Sequence, residues 1–279
     1  MTDQVSDFNY TLYLPFEKNF DQETFWLWIT KNWYLSLWFS LAYVIVIFSG
    51  KRYMKHRPAA NLRTELAIWS GILAIFSILG AIRTVPELLY VLKNYGWDFS
   101  ICNSSYAYYQ PTALWTSLFA LSKVYELGDT IFIVLRKQNL IFLHWYHHIT
   151  VLIYSWYSAT EQAAAGRWFM TINYTVHAFM YSYYTLKAMR FSIPKWVSVA
   201  ITSLQIAQMV VGLSVNIRVY YLKNRNQYCQ QTYDNLVWSS LMYLSYLFLF
   251  LSFFINAYLK TGKKISHSNG NGLNKAKQK

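Results

Sequence analysis

The run QNLIFLHWYHHITVLIYSWYSAT, Gln138 to Thr160, carries no charged residue and is long enough to cross a bilayer. Near its start stand His144-Trp145-Tyr146-His147-His148. At 3.6 residues per turn, His144, His147 and His148 project from one face of a helix, so three imidazoles meet at membrane depth. A single His at a helix end sits in the interface at little cost. Three on one face among apolar residues would leave several ring nitrogens unpaired in hydrocarbon, which points to a buried functional site.

The rest of the chain agrees with a membrane setting. It is 55% hydrophobic, 20% aromatic and only 13% charged, too apolar for an ordinary soluble domain. The net charge of +13 resembles that of a nucleic-acid binder, but the basic residues fall in short connections between apolar runs. Topology accounts for them, and no nucleic-acid partner is expected. Uncharged or nearly uncharged runs occur at Trp33–Gly50, Leu66–Ile82, Pro111–Leu135, Gln138–Thr160, Trp168–Leu186, Trp196–Ile217 and Asn235–Leu259. The fold expected is therefore an all-α integral membrane protein with seven transmembrane helices. The third and fourth are joined so closely that they should form an antiparallel hairpin.

Three segments follow: 1–32 as a lumenal N-terminal segment, 33–259 as a seven-helix membrane catalytic domain, and 260–279 as a disordered basic cytosolic tail. Residues 1–32 lack the basic start and apolar core of a signal peptide, so the first membrane helix is expected to direct insertion. Trp26, Trp28 and Trp33 read as belt residues at the interface. Placing the 51–64 loop, Arg136-Lys137, the 187–195 loop and the tail in the cytosol gives that side sixteen Lys/Arg against eight on the other. The positive-inside rule then puts the N-terminus in the lumen and the C-terminus in the cytosol.

Several features fall in line with that orientation. The lumenal side holds nine of the twelve acids, the sequons at Asn9 and Asn103, and both cysteines, so Cys102 and Cys229 are expected to form a disulfide. At the other end, Lys275 and Lys277 resemble the dilysine retrieval signal of endoplasmic-reticulum membrane proteins, which needs a cytosolic tail.

Polar residues within the spans are grouped. Lys123, Glu126, Asp129 and Thr130 lie on one side of the third helix, where each charge left facing lipid would cost roughly 2.5–3.5 kcal/mol. They must face the bundle interior, as a structural Lys-Glu clamp or as part of a site. Asp129 is the candidate for orienting an imidazole of the next helix. The fifth span carries Asn173, His177, Tyr181 and Tyr184 as a stripe, and the sixth carries Thr202, Gln205 and Gln208 at every third residue, so both are expected to line a cavity. A di-iron desaturase needs around eight His ligands. This chain has six, of which His56 lies in a basic loop and His267 in the tail. The four that remain serve better as base or nucleophile, and neither metal nor cofactor is expected. A seven-span receptor or transporter is the non-enzymatic alternative.

In order along the chain, Lys123-x-x-Glu126-x-x-Asp129-Thr130, His144-x-x-His147-His148, Asn173-x-x-x-His177-x-x-Met180-Tyr181-x-Tyr183-Tyr184 and Thr202-x-x-Gln205-x-x-Gln208 resemble the motifs of the ELO family of very-long-chain fatty acid elongases. The residues around Glu126 and His144 resemble its elongase 6 branch, which extends saturated and monounsaturated acyl chains of the palmitoyl type. The resemblance implies a condensing enzyme of the endoplasmic-reticulum membrane that turns long-chain acyl-CoA and malonyl-CoA into 3-oxoacyl-CoA, carbon dioxide and CoA. It implies six helices forming an inverted barrel around a closed acyl tunnel, with a lumenal disulfide where Cys102 and Cys229 lie.

His147 resembles the family's nucleophile, and the imidazole cluster makes His177 the candidate for stabilising the malonyl-derived enolate and His144 and His148 those for orienting or exchanging protons, with Glu126, Asp129 and Lys123 in support. Arg136, Lys137, Lys187 and Arg190 flank the cytosolic ends of these helices, where they serve the CoA phosphates or topology alone. Expected partners are membrane lipid, acyl-CoA and malonyl-CoA, the ketoacyl reductase, dehydratase and enoyl reductase of the elongation cycle, and a second copy of the chain in a homodimer.

Overall fold

The computed structural model describes residues 8, 10 and 12–260. Asn9 and the tail with Lys275 and Lys277 lie outside the described residues. All regular structure among them is helical. A short turn α1 (Pro15–Lys18) and α2 (Gln22–Asn32) precede α3 (Leu35–Met54) and α4 (Arg63–Cys102). Next come α5 (Thr112–Tyr125), α6 (Gly128–Leu135), α7 (Phe142–Glu161), α8 (Gly166–Ala188), α9 (Lys195–Asn224) and α10 (Tyr233–Phe254), which runs into a π-helical turn at Ile255–Lys260.

Among the described residues four helices are long and apolar enough to cross a membrane: α3, α4, α9 and α10 with its π turn. The other three runs expected from sequence fall elsewhere. Pro111–Leu135 is divided between α5 and α6, each too short alone, while α7 and α8 have the length but spend it on His, Tyr, Ser and Asn. The helices bury many polar side chains among their hydrophobic core and expose large apolar ones. On α3, Ser36, Ser40, Tyr43 and Ile47 repeat at helical spacing and are buried, whereas Trp38 and Ile45 are more than half exposed. Such inversion suits a chain whose outer solvent is hydrocarbon.

Two differences from the sequence reading matter for the site. The second run continues about twenty residues past Ile82, through Pro86 to Cys102, where a loop was expected. It breaks at Gly96, whose φ of 82° lies in the left-handed region that glycine enters without a Cβ clash. Residues 12–32 do more than lead in: Ile29 is fully buried and Trp26 Nε1 donates to the carbonyl of Thr160 on α7. Glu17, also fully buried, accepts from Arg83 Nη2, Trp115 Nε1 and the Leu14 amide at 2.8–2.9 Å.

One end of the bundle is cross-linked heavily. Cys102 and Cys229 form the expected disulfide. Gln230 N donates to Cys102 O, and Ala164 N donates to Gln230 O, so three connections stack together. Beside them Arg167 places Nε on both Glu87 oxygens, Nη1 on the carbonyls of Ser100 and Asn103, and Nη2 on Ser105 Oγ. A guanidinium so fully satisfied is one of the few charged groups that tolerates complete burial. At the opposite end the connections meet through Ala60 N to Leu135 O and through Lys137 Nζ to the carbonyls of Lys55 and Arg57.

Candidate active site

The joint between α5 and α6 decides how the third run presents its polar groups. Leu127 N, Asp129 N and Thr130 N each donate to a carbonyl three residues back, a tightened 3₁₀-like turn. The stripe expected on one straight helix is thereby spread over four neighbours. Lys123 and Glu126 meet α8, Thr130 meets α3 and α7, and Asp129 sits between α4 and α8.

Lys123 Nζ donates to Glu126 Oε1 at 2.7 Å and to Asn173 Oδ1 at 2.9 Å. A lysine only donates, so it fixes the Asn173 amide with oxygen toward the lysine and nitrogen toward His177. That nitrogen lies 3.2 Å from His177 Nε2. Two donors cannot face each other, so Nε2 accepts and the proton of His177 is on Nδ1. Nδ1 in turn lies 3.9 Å from Glu126 Oε2, a buried carboxylate oxygen with no hydrogen-bond partner of its own.

The three imidazoles of α7 differ in how they are held. His144 Nε2 is 2.9 Å from Thr130 Oγ1, and its ring lies 4.5 Å from that of His148. His148 is buried with Nδ1 unpartnered. Among the described residues His147 has no side-chain hydrogen bond. Its ring stands 4.9 Å from Tyr246 and 5.6 Å from His148.

His147 also separates two cavities. A cavity of about 680 Å³ is lined by Glu126, Asp129, His144, His148 and His177 and reaches Tyr181, Tyr184, Gln205, Arg136 and Lys187. A narrower apolar one, of about 100 Å³, follows α7 past Val151, Ala120 and Phe169 to Trp26 on α2. His147, Asn173, Gln208 and Met209 line both. The geometry thus offers an unclamped imidazole at the neck between a polar chamber and a hydrophobic channel.

Most residues singled out from sequence converge here, with two corrections. Asp129 does not orient an imidazole: Oδ1 accepts from Trp69 Nε1 and Oδ2 from the Tyr181 hydroxyl, both at 2.7 Å. The tightened turn gives the imidazole to its neighbour Thr130 instead. Lys137 does not line the chamber, because its ammonium is spent on the carbonyls of Lys55 and Arg57, and Gln138 lies along the wall. Gln205 reaches the chamber with its amide on Met180 Sδ. Tyr43, Trp69 and Tyr246 were missed. The Ser36, Ser40, Tyr43 spacing on α3 is the signal that places Tyr43 on a buried face. Among the described residues no group of three or more His, Cys, Asp or Glu side chains converges to hold a metal ion.

Residues 28–266 match the ELO: GNS1/SUR4 family. The chain is 49% identical to very long chain fatty acid elongase 6 of Drosophila melanogaster, over 91% of its length and 81% of the fly protein. It is 48% identical to the human protein of that name, over 89% of this chain and 94% of the human one. Putative fatty acid elongase 3 of Caenorhabditis elegans is 48% identical over 92% of this chain and 80% of its own. Both the family and the elongase 6 branch expected from the motifs are thereby borne out, and the chain belongs to the ELO family of fatty acid elongases.

Proposed function

We propose that this chain condenses a long-chain acyl-CoA with malonyl-CoA through an acyl-His147 intermediate, in a two-stage exchange that needs neither metal nor cofactor. The observation that carries this reading is the position of His147 at the neck shared by the polar and the apolar cavity. An acyl chain in the channel puts its thioester carbonyl at the neck and its CoA in the chamber toward Arg136 and Lys187. A free imidazole nitrogen attacks that carbonyl, the C–S bond breaks, and CoA leaves as thiolate to take up a proton. Malonyl-CoA then occupies the vacated chamber. Its carboxylate leaves as carbon dioxide, the electron pair of that bond becomes the enolate, and the enolate carbon attacks the acyl carbon. Imidazole departs with its electron pair, giving 3-oxoacyl-CoA. One proton is consumed overall, with one CoA and one carbon dioxide released.

His177 suits the enolate stage, because it lines the chamber with its proton on Nδ1, beside Glu126, and is held there by Asn173 and Lys123. Palmitoyl-type saturated or monounsaturated chains are the proposed substrates, on the strength of the branch resemblance and the largely apolar lining of the channel.

We further propose seven crossings, six of them surrounding the channel, in the endoplasmic-reticulum membrane with the N-terminus lumenal and the C-terminus cytosolic. In support, the connections near Leu135, Lys55 and Ala60 meet at one end, and those near Cys102, Ala164 and Cys229 meet at the other, as alternating crossings require. A disulfide belongs to an oxidising lumen. The ketoacyl reductase, dehydratase and enoyl reductase are the proposed functional partners, since each consumes the product of the step before.

Incubation of the purified chain with palmitoyl-CoA alone tests the first stage. One equivalent of CoA released, with the acyl mass retained on the protein and both lost in His147→Ala, supports it. Absence of release until malonyl-CoA is added overturns the acyl-enzyme and assigns His147 the role of base in a ternary complex.

A further inference from the structure

We infer that Tyr43, on a helix outside all four motifs, is a positioning residue that fixes the tautomer of His144 through Thr130. The Tyr43 hydroxyl lies 2.7 Å from Thr130 Oγ1, which lies 2.9 Å from His144 Nε2. Tyr43 is 5% exposed and Thr130 not at all. Tyr43 packs in a cluster with Ile47, Val134, Trp145 and Ile149, with the His148 ring 6.4 Å from its own, and among the described residues its hydroxyl has no hydrogen bond besides that with Thr130.

The direction of this chain follows from counting protons. Each hydroxyl has one to donate. If His144 Nε2–H donated to Thr130, Thr130 would donate to Tyr43, and the Tyr43 proton would be left without an acceptor among the described residues. That is the costly arrangement for a buried donor. In the reverse direction Tyr43 donates to Thr130, Thr130 donates to Nε2, and every proton is used. His144 is therefore neutral with its proton on Nδ1, and the one polar ring atom it can still offer is a donor. It serves the chamber as a hydrogen-bond donor to an oxygen or thiolate and not as a base. Asn173 imposes the same tautomer on His177 from the other side, so these two imidazoles are set alike, and of the two left unfixed, His147 and His148, only His147 also reaches the apolar channel.

This inference rests on the condensing reading, and the test separates the two. Tyr43→Phe keeps the ring and removes the donor, Thr130→Val removes the whole link, and Thr130→Ser restores a hydroxyl. Each variant is first checked for an unchanged melting temperature in detergent, then assayed for CoA release from palmitoyl-CoA and for 3-oxoacyl product with malonyl-CoA. The expected result is a kcat about tenfold lower in Tyr43→Phe with KM little changed, as for loss of one hydrogen bond that acts in the transition state. The Tyr43→Phe/Thr130→Val pair should be no worse than Thr130→Val alone, and Thr130→Ser should recover most of what valine loses. Wild-type kcat in Tyr43→Phe, multiplicative losses in the pair, or serine as impaired as valine overturns the positioning role. A wild-type protein that makes no 3-oxoacyl product overturns the condensing reading instead.

Discussion

Asn173 donates to Nε2 of His177 across 3.2 Å and cannot turn round, because its oxygen already accepts from Lys123. The amide thus works as a one-way spacer between a cation and an imidazole. Asn173→Asp keeps the size and the acceptor but removes the donor, so Nε2 must carry the proton and the hydrogen facing Glu126 is lost. Turnover should fall by about 10²-fold, the scale of a misplaced acid–base group. Product formation from palmitoyl-CoA and malonyl-CoA measures it, and full activity would show that the His177 tautomer does not matter.

Glu17 ties the segment before the first long helix to the bundle through Arg83 and Trp115. Glu17→Ala would strand a partly buried guanidinium and a buried indole N–H, a loss of about 3–5 kcal/mol if the segment stayed in place. The cheaper response is release of residues 12–32. Brief trypsin treatment should therefore cut at Lys18 and Lys31 much faster in the variant, and an unchanged digestion pattern would show that Glu17 is not the anchor.

Gly128 sits where α6 begins against the ring of Trp69. A Cβ there would lie 2.4 Å from Trp69 Cζ2, and the ring has little room to retreat because Nε1 is bonded to Asp129. Gly128→Ala should cost about 1–3 kcal/mol by overpacking, read as a lower melting temperature in detergent. Most of that cost should vanish in a Trp69→Phe background, where the smaller ring clears the methyl group. Equal losses in both backgrounds would place the strain elsewhere.

What could be read in the sequence was what depends on spacing along one helix. Three imidazoles at i, i+3 and i+4, and the stripe from Asn173 to Tyr184, name their own face, and the structure brings both to the same chamber. Pairings between helices were harder to read. Asp129 and Thr130 are adjacent, so no periodicity says which of them takes the imidazole; a single tightened turn at Glu126-Leu127 decides it. The extension of α4 through Pro86 was hidden because its second half is held by Glu87 with Arg167 and by the disulfide, not by uniform hydrophobicity. Tyr43 shares a buried face with Ser36 and Ser40, but which of those hydroxyls reaches the site depends on Thr130 standing opposite, which spacing along α3 does not tell.

The two ends of the molecule are unequal in stiffness. At one, a covalent bridge, a fully saturated guanidinium and the Glu17 anchor join connections far apart in sequence. At the other, around Arg136 and Lys187, the fastenings are single hydrogen bonds, such as that from Tyr258 on the terminal π turn to the carbonyl of Ser198. Thermal breathing must concentrate at the weakly fastened end, like a clothes-peg that opens at the jaws because the spring clamps the other side. A thioester with a bulky nucleotide handle can then be threaded tail-first, and its handle exchanged, without the cross-linked end ever parting.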